Sequence, residues 1–282
     1  MEIALERIRN GVNGEVDLSD LGLTILPPIP EGITVLKCFR NQLTSLPDLP
    51  STLVGLYCSH NQLTSLPLLP PSLESLYCSN NQLTSLPLLP PSLVTLFCSV
   101  NQLAFLPELP PSLEYLRCYK NQLPTLPTLP PNMVGLNCSH NQLTCLPTLP
   151  LPLEHLTCPF NKLTSLPTLP SNLSELNCII NPLETLPELP STLECLKATL
   201  PWVEDLEEDV CLGGPKIYSG MYPELVGGVN QMVREAAALT NRQSKRRCME
   251  RCAQYKEEIM MKVWHPSRVL KLLEMGYDHD DM

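Results

Sequence analysis

Aromatic residues are scarce in this chain of 282 residues, at 5% of the total. Basic residues are also few, 19 Lys and Arg against 29 Asp and Glu, which leaves a net charge of -10. That balance argues against a general nucleic-acid binder, which needs a positive surface to meet phosphate. No apolar run approaches the roughly 18 residues that a membrane-spanning helix requires, so no span is expected. The opening MEIALERIRN carries Glu2, Glu6, Arg7 and Arg9 and lacks the apolar core of a signal peptide. A cytoplasmic or nuclear location is the expectation. No C-x-x-C occurs among the 13 Cys, which removes the commonest zinc spacing.

What the chain has in abundance is repetition. The stretch Pro71 to Pro90, PSLESLYCSNNQLTSLPLLP, returns in steps of twenty residues from about Val16 to Leu200. Asn recurs at Asn41, Asn61, Asn81, Asn101, Asn121, Asn141, Asn161 and Asn181. Cys recurs at Cys38, Cys58, Cys78, Cys98, Cys118, Cys138, Cys158 and Cys178. A fixed period of this length means one supersecondary unit stacked on itself, its apolar face buried only by its neighbours.

Within one unit, Leu76-Tyr77-Cys78 alternates inward and outward as a strand must. Leu76 and Cys78 are expected to face the core; Ser75, Tyr77 and Ser79 are expected on the open face. Asn81 follows where the chain turns inward, and its amide can both donate to and accept from the backbone of adjacent coils. Leu83 and Leu86 return to the core. Pro87, Pro90 and Pro91 then fix φ and remove N–H donors, so the return path should be extended and polyproline-like rather than helical. The Cys column reads as a row of small buried hydrophobes; a metal ladder or a chain of disulfides is the alternative.

The motif L-x-x-L-x-C-x-x-N-x-L-x-x-L-P from Leu73 to Pro87 resembles the leucine-rich repeat, with Cys where a third Leu usually stands. The repeats are similar to those of secreted leucine-rich-repeat effectors of enteric bacterial pathogens, and to repeat proteins of large DNA viruses. The resemblance implies a leucine-rich-repeat solenoid with a parallel β-sheet on its concave face and an extended polyproline-like convex side. It covers about two thirds of the chain and says little about the target, because function lies in the exposed columns.

Four segments are expected: a capping helix over 1–14 with Leu5, Ile8 and Val12 on its apolar side, the solenoid over 15–200, an acidic linker over 201–221 and a helical region over 222–282. The first coil is degenerate, with Leu18 in the Cys column and Leu21 in the Asn column. Near the end, MMKVWHPSRVLKLLEMGYDHDDM resembles a C-terminal signature of repeat proteins of giant DNA viruses. Some bacterial effectors carry a ubiquitin-ligase domain whose catalytic Cys is followed by Asp at the second position. Here Cys211 is followed by Leu212 and Gly213, so no catalytic residue and no enzyme activity are expected. Cys248, Cys252 and His265 could offer three zinc ligands, but two small residues on a helix face is the plainer reading. No metal or cofactor is expected. Arg242, Lys245, Arg246, Arg247 and Arg251 form the one basic cluster.

Function should then reside on the concave face. Its strand-centre column runs Lys37, Tyr57, Tyr77, Phe97, Arg117; the column two residues on begins with Phe39 and holds Tyr119. With Tyr115, most of the few aromatic residues of the repeats fall on one face. Exposed Tyr beside Arg is the composition of interaction hot spots, although stacked rings also stabilise a parallel sheet. The expectation is a non-catalytic protein-protein interaction module, a viral protein binding a host or virion protein through Lys37, Phe39, Tyr57, Tyr77, Phe97, Tyr115, Arg117 and Tyr119. The alternatives are a substrate receptor that docks ubiquitin-ligase machinery through its C-terminal helices, or a structural virion component.

Overall fold

The computed structural model of the chain describes residues 2–9 and 14–198. A short helix, α1 (Glu2–Arg9), precedes ten three-residue strands. These are β1 (Glu15–Asp17), β2 (Val35–Lys37), β3 (Gly55–Tyr57), β4 (Ser75–Tyr77), β5 (Thr95–Phe97), β6 (Tyr115–Arg117), β7 (Gly135–Asn137), β8 (His155–Thr157), β9 (Glu175–Asn177) and β10 (Cys195–Lys197). All ten lie in one parallel sheet in the order of the chain. The register advances by one repeat at each step, so that Leu36 faces Leu56 and Leu56 faces Leu76. Among the described residues the return paths hold no helix, as the prolines require.

Every coil buries the same positions. In the fourth, Leu73, Leu76, Cys78 and Leu83 are wholly buried and Leu86 nearly so. Each buried leucine contributes about 1.5–3 kcal/mol relative to an exposed one, and it finds its contacts in the coils above and below. The eight repeat cysteines are buried free thiols. Burial raises them all, to about 12 for Cys38, Cys98, Cys138 and Cys178.

The asparagines form the ladder that their amides allow. Asn101 Nδ2 donates to the carbonyls of Cys78 (3.1 Å) and Cys98 (3.0 Å), and its Oδ1 accepts from the Leu83 N–H at 3.0 Å. A second ladder, not foreseen from the sequence, runs where the return path re-enters the sheet. Ser92 Oγ shares its one proton between the carbonyls of Pro71 (2.6 Å) and Leu73 (2.8 Å), and Ser112 Oγ repeats the pattern on Pro91 and Leu93. Here the prolines leave carbonyls without partner amides, and a hydroxyl supplies the missing donor.

The residue before each repeat asparagine lies in the left-handed region. It is Arg40, His60, Asn80, Val100, Lys120, His140, Phe160 and Ile180 in turn, with φ between 52° and 58°. This kink swings the following Asn inward while the kinked residue's own N–H bonds onward to the next coil, as Asn80 does to the Ser99 carbonyl at 2.9 Å. For Val and Ile that conformation is strained.

One expectation at the N-terminus is corrected. Over the described helix Glu2–Arg9 the buried residue is Ala4, with Ile8 half-buried and Leu5, expected on the apolar side, exposed at 39%. Ala4 is wholly buried in the core that Val16 and Leu18 of the first coil close. Arg7 fastens the helix by donating to the Asp17 carbonyl at 2.8 Å. Val12, the acidic segment over 201–221, the helical region over 222–282, Cys248, Cys252 and His265 lie outside the described residues.

Candidate functional site

Each strand contributes its first and third side chains to the open face, because its middle leucine faces the core. Successive strands then bring equivalent residues side by side at about 4.8 Å. Tyr57, Tyr77 and Phe97 occupy the third position of β3, β4 and β5. Their rings are continuous: Tyr57 stacks on Tyr77 with centroids 4.7 Å apart, and Tyr77 meets Phe97 edge-on at 4.6 Å. The Arg117 guanidinium closes the row, 4.5 Å over the Phe97 ring. Stacking and the cation–π contact hold four side chains in fixed places while leaving their rims open.

Glycines make room for the rings. A Cβ at Gly55 would stand 3.0 Å from Tyr57, and one at Gly135 would stand 3.1 Å from Tyr115. Tyr115 is 41% exposed, on the same strand as Arg117. Burial in the stack lifts the Tyr77 hydroxyl above its ordinary value; Tyr57 adds to this and Arg117 opposes it.

The other sequence-derived candidates stand apart from this row. Lys37 is next in the column but pairs with Glu15, whose hydrogen bond raises the lysine. Phe39 and Tyr119 share a neighbouring column, separated by Ser59, Ser79 and Ser99. The structure therefore gathers Tyr57, Tyr77, Phe97 and Arg117 into one patch, with Tyr115 at its border and Lys37, Phe39 and Tyr119 around it.

Sequence reasoning overlooked a second pair of rings. His140 and Phe160 stack at 4.1 Å with planes 12° apart, both in the left-handed column and both exposed. It also overlooked His155, whose Nδ1 lies 3.3 Å from Glu175 and whose Nε2 lies 3.9 Å from Glu154. The twenty-residue spacing carried both signals, since His140 shares a column with Phe160 and His155 with Glu175. Among the described residues no group of three His, Cys, Asp or Glu is placed to hold a metal ion. No helix among them is long and apolar enough to cross a membrane.

Comparison with known proteins places this geometry. A model described as leucine-rich repeats in two copies matches residues 51–91. The solved structure of YopM, a leucine-rich effector protein from Yersinia pestis, is similar with a TM-score of 0.63 and 38% identity over 68% of this chain. The match spans 63% of that protein's length. The leucine-rich-repeat domain of a Shigella effector shares 35% identity over 65% of this chain and 77% of its own, with a TM-score of 0.50. YopM from Yersinia enterocolitica shares 30% identity over 71% of this chain and 68% of its own, also at 0.50. Among curated proteins no sequence matches.

Proposed function

This chain belongs to the leucine-rich-repeat family, and from that premise we propose that it is a non-catalytic module whose protein partner lies along the concave face, against Tyr57, Tyr77, Phe97 and Arg117. The observation that carries the reading is the ring stack itself. Three aromatic side chains and one guanidinium, in a protein with few aromatics, meet in a row on a sheet face that nothing among the described residues covers. The rings are half-buried, and the apolar rims they leave to water are surface that a partner would cover. Tyr115, Lys37, Phe39 and Tyr119 form the rim.

The resemblance of the C-terminal WHPSRV and LLEMGYD pieces to repeat proteins of giant DNA viruses supports a viral setting. The partner is then a host or virion protein, met in the cytoplasm or nucleus of the infected cell or in the virion. The effectors to which the repeats are similar support binding rather than chemistry as the solenoid's task, and the absence of Asp after Cys211 is in keeping with that.

A photo-reactive phenylalanine analogue placed at Phe97, and separately at Thr84 on an exposed turn away from the sheet, tests the reading in cells that express the protein. Cross-linking of one partner from position 97 and none from 84 is the expected result. The reverse would move the interface off the concave face.

A further inference from the structure

The residue just before each strand forms a column of its own, and its composition alternates. Val54, Val94 and Val134 occupy it in every second coil, and Glu74, Glu114 and Glu154 occupy it in the coils between. The valines and Glu114 are half-buried; Glu74 and Glu154 are exposed. The backbone of this column links the coils: the Glu74 carbonyl accepts from the N–H groups of Val94 (2.8 Å) and Thr95 (3.0 Å), as the Val54 carbonyl does from Glu74 and Ser75. Neither identity nor alternation at this column is needed for the solenoid. Among the described residues Glu74 and Glu114 make no ion pair, and Glu154 has only the His155 imidazole, 3.9 Å away.

The alternation sets a length. Strands of successive coils stand about 4.8 Å apart, and the ring centroids of Tyr57, Tyr77 and Phe97 follow at 4.7 and 4.6 Å. Acids in every second coil are therefore about 9.6 Å apart along the sheet, close to the roughly 9.3 Å that three residues of a polyproline II helix advance. That helix has three residues per turn, so every third side chain points the same way. An extended β-strand returns to one face every second residue, at about 6.7 Å, and falls out of step. An α-helix needs seven residues, about 10.5 Å, and its row drifts round the axis.

Resting on the concave-face reading above, we propose that the partner segment is proline-rich and basic. It runs along the solenoid in polyproline II conformation, with Arg or Lys at every third position opposite Glu74, Glu114 and Glu154. Its second row of side chains, turned by one third of a circle, faces the rings of Tyr57, Tyr77 and Phe97, where prolines pack well against aromatic surfaces. Val94 and Val134 receive the aliphatic stems of the basic residues between the acids. Where the second row passes Arg117, an acidic or carbonyl group fits it.

Fluorescence anisotropy on the full chain tests this, with two labelled peptides of the same composition. One carries Arg at every third position of a proline-rich backbone; the other carries its Arg at every second position. The phased peptide should bind at least tenfold more tightly, and Glu74→Gln with Glu114→Gln and Glu154→Gln should remove that preference. Equal affinity for the two peptides would overturn the proposal. A preference that survives the glutamine variant would overturn it as well. If binding is lost in Tyr77→Ala but unchanged in the glutamine variant, the basic register is wrong and the aromatic face stands. Binding unchanged in both variants would remove the concave face too. A gain in peptide affinity in Arg246→Glu with Arg247→Glu would give the column to the chain's own basic segment instead of a separate partner.

Discussion

Asn101 shows how much one side chain can settle in a solenoid. It ties its own coil to the one before, taking the Leu83 N–H and giving to the Cys78 and Cys98 carbonyls. Replacing it with Ala leaves those groups without partners and should cost about 1–3 kcal/mol. Urea denaturation of Asn101→Ala is the check, and an unchanged midpoint would mean that water replaces the amide at no cost. Val100, its neighbour, works the other way. A β-branched residue at φ 55° is strained, and it is only half-buried, so little packing would be lost on replacing it. Val100→Asn should therefore stabilise the protein by about 1 kcal/mol. A lower melting temperature in that variant would show that the valine contributes packing that outweighs its strain.

At the scale of the coil, the cysteine column makes a prediction with a sign. The thiol of Cys98 has an ordinary value of 9.0 and is raised by burial to about 12 in the fold. A group raised in the folded state stabilises it fully below the unfolded value, and that contribution is lost as pH rises through the folded value. Stability should thus be level through neutral pH and fall between about pH 9 and 12, most steeply in proteins that keep all eight thiols. Cys98→Val should fold normally, and thiol reagents should label the exposed Cys145 before any residue of the column. Rapid labelling of Cys78 or Cys98 in the folded protein would contradict this.

The coil is also where the sequence was most legible, because the letters Leu, Cys, Asn and Pro recur where side-chain chemistry is constrained. Where only the backbone matters, the letters vary and the signal fades. The left-handed column holds Arg, His, Asn, Val, Lys, Phe and Ile, so nothing in its composition announced positive φ. The serine ladder was visible as Ser72, Ser92 and Ser112, yet its purpose depends on carbonyls left open by Pro71 and Pro91, which only the winding reveals. Capping was harder still. A single helix beside one coil has no repeat to average over, and Ala4 rather than Leu5 turned inward.

Across the whole molecule, equivalent surfaces are unequally furnished. Every coil offers the same scaffold, yet among the described residues the third strand position carries aromatic rings only on β3 to β5, with Arg117 on β6 closing the row. The continuous row was readable from the column; that Arg117 lies over the Phe97 ring, and that Lys37 is drawn off by Glu15, was not. Affinity for the captured partner, compared between the native chain and Tyr77→Ala with Phe97→Ala, measures the central claim most directly. The account predicts at least a thirtyfold weaker complex, from the roughly 2 kcal/mol that a central hot-spot residue contributes, while the melting temperature stays within a few degrees because neither ring faces the core. An undiminished affinity in a folded double variant, with loss on Thr84→Ala and Thr164→Ala instead, would contradict it.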